Sequence, residues 1–347
     1  MFLRCGCCII PKDVLERLAH DATLPAKTRA SLESTAAQEP IWRTLRVAQN
    51  RAIQARLFTL ESNTLTLAKV PSVTVNDCQN TPSLPGKPVP DPGSSRDRTV
   101  KRAFDTTTSV VDFYQKEFGR NSIDDLGMTL MSSVHYRVDY NNAFWNGVHM
   151  TYGDGDGQLF LDFTRSNDVV AHELTHGVTQ YTSGFVYTNE AGGLNESMSD
   201  VFGSMFRQWE KNQTFSRADW LIGADIVGPA AKARGYKCLR DLSDPGGKHC
   251  LSPQPVHYKD YIPGGDPHDN SGIPNYAFYL AAKAIGGRSW EKAGKVWYAA
   301  LTSRKATQNM KFKAFAKLTR QAAKTLFPAD PAIYSAIDKA WTSVGVA

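Results

Sequence analysis

Apolar positions recur at two different periods along this chain, and the change of period divides it. Over 100–118 they fall three and four residues apart, the spacing of a helix with one buried stripe. Val134-His135-Tyr136-Arg137-Val138-Asp139-Tyr140 alternates instead, which predicts a strand with one face inward. Residues 150–152 and 158–163 extend the predicted sheet. The helical period returns at Val170, Leu174, Val178 and Tyr181, with Ser166 or Asn167 as a cap and Gly184 after the end. Helices are then predicted over 274–285, 289–303, 310–327 and 329–342. Between about 71 and 98 the composition shifts to Pro, Ser, Asp and Gly, which reads as an extended surface loop. The expected architecture is α+β and two-lobed: a mixed α/β lobe over 48–183 and a helical lobe over 184–347. The helix near Val170 joins them, and a charged N-terminal segment over 1–47 precedes them. The chain's 347 residues suffice for two lobes with full cores.

The joining helix carries His172-Glu173-Leu174-Thr175-His176 on the side opposite its apolar stripe. At about 100° per residue the two histidines lie roughly 40° apart around the axis, so both rings can reach one metal ion. Glu173 falls beside them, close enough to act on a metal-bound water. Two neutral imidazoles and a carboxylate suit a catalytic zinc site, provided a third ligand arrives and one position stays open. The pentapeptide alone would occur by chance in roughly one chain in a hundred of this length. Its surroundings raise its weight. Asn195-Glu196-Ser197-Met198-Ser199-Asp200 follows inside a second helical stretch. A two-helix hairpin can return Glu196 to the metal as the third ligand. Asp200, one turn on and on the same face, can accept the free ring N–H of a liganding histidine, with Asn195 in a like supporting position.

With these motifs the chain resembles the thermolysin family of zinc metallopeptidases, within it the protealysin-like branch. The resemblance runs through Asn142-Ala143-Phe144-Trp145-Asn146-Gly147, Tyr152-Gly153-Asp154-Gly155-Asp156-Gly157 and Asp168 to Thr179. It continues through Gly193 to Asp200, Leu239-Arg240-Asp241-Leu242-Ser243-Asp244-Pro245 and Asn270-Ser271-Gly272-Ile273-Pro274-Asn275. About Arg98 to the C-terminus is covered, in the family's order. The resemblance implies a neutral endopeptidase with one Zn2+ held by His172, His176 and Glu196. Glu173 would be the general base, and His268 and Tyr187 would stabilise the oxyanion. Asn142 and the Ala143 backbone would hold the substrate main chain, and Arg240 its carbonyl on the primed side. Phe160, Phe163, Val169, Ile222 and Leu239 match positions lining the first primed subsite, which implies cleavage on the amino side of bulky apolar residues. The lead-in to His268 departs from the family: Gly264-Gly265-Asp266-Pro267 precedes it, with Pro263 where an acidic partner is usual, and Asp266 is the candidate replacement.

A double calcium site is frequent among these relatives. The matching positions here are Asp168, Arg207, Asp219, Leu221 and Ala224, too few carboxylates for calcium. The expectation is that the calcium site is lost and that Arg207 pairs with Asp168 or Asp219. Asp154-Gly155-Asp156-Gly157 reads as a tight turn, since an EF-hand loop would need Glu where Arg165 stands.

Ile9-Ile10-Pro11-Lys12-Asp13-Val14-Leu15 is similar to the short propeptide opening of protealysin-like precursors, apart from Lys12 in place of a second proline. This implies a removable segment covering the cleft, cut between about Arg43 and Ala55; the alternative is an ordinary N-terminal arm. Residues 60–76 look like an insertion without an assigned role. Cys5, Cys7 and Cys8 cluster at the start and could offer the zinc a thiolate in the precursor. The branch the chain resembles does not rely on such a switch. Cys238 and Cys250 flank a loop, and whether they form a disulfide is left open by sequence.

A net charge of +6, from 40 basic and 34 acidic residues without long basic runs, gives no nucleic-acid signature. No apolar stretch approaches the ~20 residues of a membrane span. Met1-Phe2-Leu3-Arg4 opens without an apolar h-region, so no classical signal peptide is expected, and the enzyme would be cytoplasmic or leave by another route. Expected partners are protein or peptide substrates and the chain's own propeptide. Two rivals remain: a zinc aminopeptidase, whose Gly-x-Met-Glu-Asn type signature is absent, and a catalytically silent zinc protein, against which Glu173 and Tyr187 argue.

Overall fold

The computed structural model describes residues 8–39, 41 and 70–347. Within them the N-terminal segment forms helices α1 (Lys12–Ala19) and α2 (26–39). The first lobe holds strands β1 (Val73–Asp77), β2 (Lys87–Pro88), β3 (Leu130–Val134), β4 (Ala143–Trp145) and β5 (Met150–Tyr152) around helix α3 (Arg98–Phe118). Helices α4 (Asn167–Gln180) and α5 (Asn189–Glu210) follow. The short pair β6 (Leu221–Ile222) and β7 (Arg240–Asp241) brackets α6 (Pro229–Ala233). The second lobe closes with α7 (Pro267–Asn270), α8 (Gly272–Ile285), α9 (Lys295–Leu301), α10 (Phe312–Leu326) and α11 (Pro331–Ser343). No helix among the described residues is long and apolar enough to cross a membrane.

The sheet runs β2-β1-β3-β5-β4, with β1, β3 and β5 parallel and β2 and β4 antiparallel to their neighbours. β4 is therefore an edge strand whose outer backbone groups need partners. Helix α3 fits its sequence closely. Asp97 caps it by accepting the N–H groups of Thr99 and Val100, and Gly119 ends it at φ +68°. Its Phe113, Tyr114 and Phe118 rings meet Phe202 and Phe206 of α5. That cluster fixes α5 alongside α4. Gly203 lets the two backbones close up: a Cβ there would stand 2.7 Å from the Asp168 carbonyl oxygen. The close approach brings the polar faces of α4 and α5 together.

Three expectations, two from periodicity and one from composition, are corrected. The strand expected over 134–140 ends at Val134; His135, Arg137 and Asp139 all have positive φ, so the alternation there belongs to a looped turn. Residues 158–163 do not join the sheet; Phe160 makes an isolated bridge to Val227, and Phe163–Arg165 is a 3-10 turn. The loop expected over 71–98 contains β1, which pairs with β3 along its whole length, so residues 73–77 belong to the sheet. A five-residue strand followed by Pro-rich turns carries too little period to stand out. The four C-terminal helices match the expected spans within a few residues, except that 290–294 is a π-helical turn before α9.

Candidate active site

His172, His176, Glu173, Glu196 and Asp200 are all fully buried where α4 faces α5. His172 Nδ1 bonds Asp200 Oδ1 at 2.9 Å, and His176 Nδ1 bonds Asn195 Oδ1 at 2.8 Å. With each Nδ1 so engaged, the two Nε2 atoms point at one another, 3.1 Å apart. Glu196 brings Oε2 to 3.4 Å from His172 Nε2 and Oε1 to 3.4 Å from His176 Nε2. Ligands about 2.0–2.1 Å from a tetrahedral ion stand ~3.3 Å apart, so these three side chains already have the edges of such a site. No well-aligned hydrogen bond reaches Glu196 Oε2 among the described residues, and a cation would satisfy that buried oxygen. The residues fit zinc.

Asp200 and Asn195 each bond a histidine of the cluster, and other side chains join them. Ser199 Oγ lies 3.0 Å from His176 Nδ1, and Asn195 is itself held by its bond to the Phe185 carbonyl. Asp200 accepts from Arg240 Nε at 2.8 Å, from Arg240 Nη2 at 2.7 Å and from Asn275 Nδ2 at 2.9 Å. Burial alone would raise the Asp200 carboxyl; Arg240 and His172 outweigh it and hold it below the usual carboxylate range. Ser199 was findable, because it lies one turn after Asn195. Asn275 was not, since only the packing of α8 brings it near. Glu173 Oε2 accepts the Trp145 backbone N–H at 2.9 Å, which aims the carboxylate along β4.

Tyr187 and His268 converge from the other side, with 3.4 Å between the hydroxyl and Nε2. Tyr187 donates to Glu196 Oε1, and His268 Nε2 lies 3.1 Å from Glu196 Oε2. Asp266 takes the role considered for it, with Oδ1 2.6 Å from His268 Nδ1, and it caps α7 as well. Burial would lower the His268 pKa, but the Glu196 and Asp266 carboxylates raise it above the ordinary value.

Asn142, Ala143 and Arg240 surround the N-terminal segment. Ile9 N–H donates to the Ala143 carbonyl at 3.1 Å, and Cys8 bridges Phe144 in antiparallel sense. Asn142 accepts from Ile10 N–H at 3.1 Å and donates to the Ile10 carbonyl at 2.9 Å. Arg240 Nη1 donates to the Ile9 carbonyl at 2.9 Å. Residues 8–10 thus lie antiparallel along the free edge of β4, joined by one isolated bridge and the Ile9 N–H bond. Polar contacts extend the cover: Arg17 donates to the Leu251 carbonyl, Asn141 bonds Ser31 and Thr35, and Lys27 pairs with Asp139. Ile9, Ile10, Leu15 and Leu32 are fully buried, each worth about 1.5–3 kcal/mol of apolar burial. Phe160, Phe163, Val169, Ile222 and Leu239 are buried in that same apolar cluster, with β6 aligned beside Leu239 by the Leu239 N–H to Ile222 carbonyl bond.

Cys8 is buried with Cys78, Tyr136, Tyr140 and Phe144, away from the histidine cluster, so its thiol is no ligand there. Cys5, Cys7 and the cut expected over 43–55 lie outside the described residues. The Asp154–Gly157 segment is a turn in which Asp156 Oδ1 accepts the N–H groups of Gln158, Leu159 and Phe160. Where the calcium site was expected to be missing, Arg207 Nη1 lies 2.5 Å from Asp225 and 3.7 Å from Asp168, and Nη2 lies 3.4 Å from Asp219.

Comparison with known proteins agrees with this geometry. Residues 58–180 match the family model of the thermolysin metallopeptidase catalytic domain, and residues 183–346 match that of its alpha-helical domain. An extracellular metalloprotease of Pectobacterium carotovorum subsp. carotovorum is 44% identical over 283 residues, 78% of this chain and 80% of its own. Protease PrtS of Photorhabdus sp. (strain Az29) is 40% identical over 285 residues, 78% of this chain and 76% of its own. Among solved structures, the precursor of protealysin, a metalloproteinase from Serratia proteamaculans, superposes with a TM-score of 0.83 at 37% identity. The match covers 98% of this chain and 99% of that one. The chain belongs to the thermolysin family and is a zinc metalloendopeptidase.

Proposed function

We propose that this chain is a precursor that, once opened, cleaves peptide bonds on the amino side of bulky apolar residues. The observation that carries the reading is the extended segment at residues 8–10 lying along β4. It uses the backbone of β4, the Asn142 amide and the Arg240 guanidinium as a substrate main chain would. His172, His176 and Glu196 would hold zinc, which when bound supplies a Lewis acid able to make hydroxide available near neutral pH.

The chain's own residues do the remaining work. Glu173, buried and aimed by the Trp145 N–H, takes a proton from the attacking water and returns it to the leaving nitrogen. Tyr187 and His268 donate to the carbonyl oxygen as negative charge grows on it, and Asp266 keeps the His268 ring oriented for that donation. Phe160, Phe163, Val169, Ile222 and Leu239 accept the side chain that follows the cut bond. While residues 8–39 stay in place, the cleft is closed to substrate. At the lost calcium site, Arg207 supplies the positive charge among Asp168, Asp219 and Asp225.

The test is cleavage mapping of a peptide mixture by mass spectrometry, with and without a zinc chelator. Chelator-sensitive internal cuts before Leu, Phe or Ile are expected, together with an N-terminal cut in the chain itself. No cleavage by protein that has lost its N-terminal segment would favour a silent zinc protein. Cuts confined to N-terminal residues of the peptides would favour an aminopeptidase.

A further inference from the structure

A second group of metal-binding atoms lies beside the Arg240 strand. Cys238 and Cys250 face each other across a parallel bridge, tied by the bonds Leu251 N–H to Cys238 carbonyl at 3.0 Å and Lys237 N–H to His249 carbonyl at 2.9 Å. Both thiols are buried, and their sulfurs stand 3.7 Å apart. One nitrogen of the His249 ring lies within 4.8 Å of both sulfurs. Two thiolates ~2.3 Å from a single tetrahedral zinc ion stand ~3.8 Å apart, the separation found here. The Asp241 carboxylate, 2.9 Å from His249 Nε2, fixes the imidazole, as carboxylates outside a metal's own ligands commonly do. Asp241 is in turn held by Ser243 and Asp244. Thiolate and imidazole donors select zinc over calcium or magnesium. The His249 side chain is 26% exposed, so an ion has a way in and water can take a fourth position.

We propose that Cys238, His249 and Cys250 bind a second zinc ion, separate from any at His172, His176 and Glu196. Binding exchanges two thiol protons, released to solvent, for the cation. The ion would fasten the loop from Asp241 to His249, whose base carries Leu239 and Arg240 and whose far side offers the Leu251 carbonyl to Arg17. The site does not depend on the peptidase mechanism, and its test does not read activity.

The experiment uses the full chain with Cys5 and Cys7 replaced by serine, so that the N-terminal thiols cannot hold metal, and with Glu173→Ala to prevent self-digestion. After loading with zinc and desalting, elemental analysis should give two zinc ions per chain. One should remain in Cys250→Ser, one in His172→Ala, and none in the two combined. Cobalt(II) loading should give a thiolate-to-metal charge-transfer band that survives His172→Ala and disappears with Cys250→Ser. If Cys250→Ser fails to fold, His249→Ala and the cobalt spectrum of the parent chain decide the question. A single zinc ion that is lost with His172→Ala overturns the proposal. Thiol titration of the unfolded parent would then tell a Cys238–Cys250 disulfide from a reduced pair, and either result excludes the site.

Discussion

The cluster at His172 and the cluster at Arg207 pose the same electrostatic problem and solve it differently. In each, acceptors converge on one point, all of them buried around His172 but only Asp168 buried around Arg207, where Asp219 and Asp225 are half exposed. Around Arg207 the protein places its own guanidinium among Asp168, Asp219 and Asp225. Around His172 two ring nitrogens and a carboxylate face each other, and the side-chain cation nearest that carboxylate is a titratable one, His268, whose Nε2 lies 3.1 Å from Glu196 Oε2. The first arrangement holds its own permanent cation, and the second sets its ligand atoms at the spacing a metal ion would take. A borrowed cation can polarise a reactant; a tethered guanidinium at these distances is spent on its neighbours. His135 is a third version, a titratable cation held between Asp154 and Asp97.

The comparison can be broken most sharply at the zinc cluster. Glu173→Ala should reduce peptide cleavage by about a thousandfold or more while zinc stays bound, measured by a quenched-peptide assay beside metal analysis. Full activity in that variant would remove Glu173 from the mechanism. At the fixed cation, Arg207→Leu should cost about 3 kcal/mol, because it takes the facing cation from the fully buried Asp168 and leaves it with the Ser166 hydroxyl and the Gly223 N–H; a thermal melt would read this. Arg207→Glu should make the melting temperature depend on calcium by adding a fourth carboxylate to the three present. No calcium response in that variant would mean the loop cannot close around a divalent ion.

The titratable cation predicts a pH dependence. The hydrogen bond that His135 donates to Asp154 raises its pKa, burial opposes this, and the Asp154 and Asp97 charges bring it up to about 9. Because the folded-state pKa lies above the ordinary 6.5, this stabilisation is fully present below about pH 6.5 and is lost as the pH rises through about 9. Asp154→Asn should remove about 1–2 kcal/mol at pH 6 and much less at pH 10, measured by denaturant melts. The smallest expected effect is that of calcium on the parent protein, whose melting temperature should not move.

The sequence made the long elements and the faces that carry the histidine cluster readable, and did so for a physical reason. Helices of fourteen or more residues repeat their pattern often enough to be seen, and Glu196, Asp200 and Asn195 inherit their positions from that same period. Asp266 was readable because an N-cap aspartate two residues before a histidine is a local arrangement. Contacts between distant parts of the chain were not readable in this way. Asp225 joins the Arg207 cluster from a 3-10 turn with no period of its own, and Asn275 reaches Asp200 only because α8 packs there. Short strands failed for the opposite reason: β1 is too brief to repeat, and His135 to Tyr140 alternates without being extended.

The seating of residues 8–10 along β4 bears on how such a chain would be opened. A segment joined covalently to the surface it covers acts at an effective concentration of order millimolar. Even micromolar intrinsic affinity would then keep the cleft closed in about 99.9% of molecules. One cut between residues 39 and 70 leaves every contact of residues 8–39 intact, yet it removes that advantage. Opening would then become a matter of dilution: dilute molecules would open after the cut, and crowded ones would stay shut until the freed piece was itself destroyed.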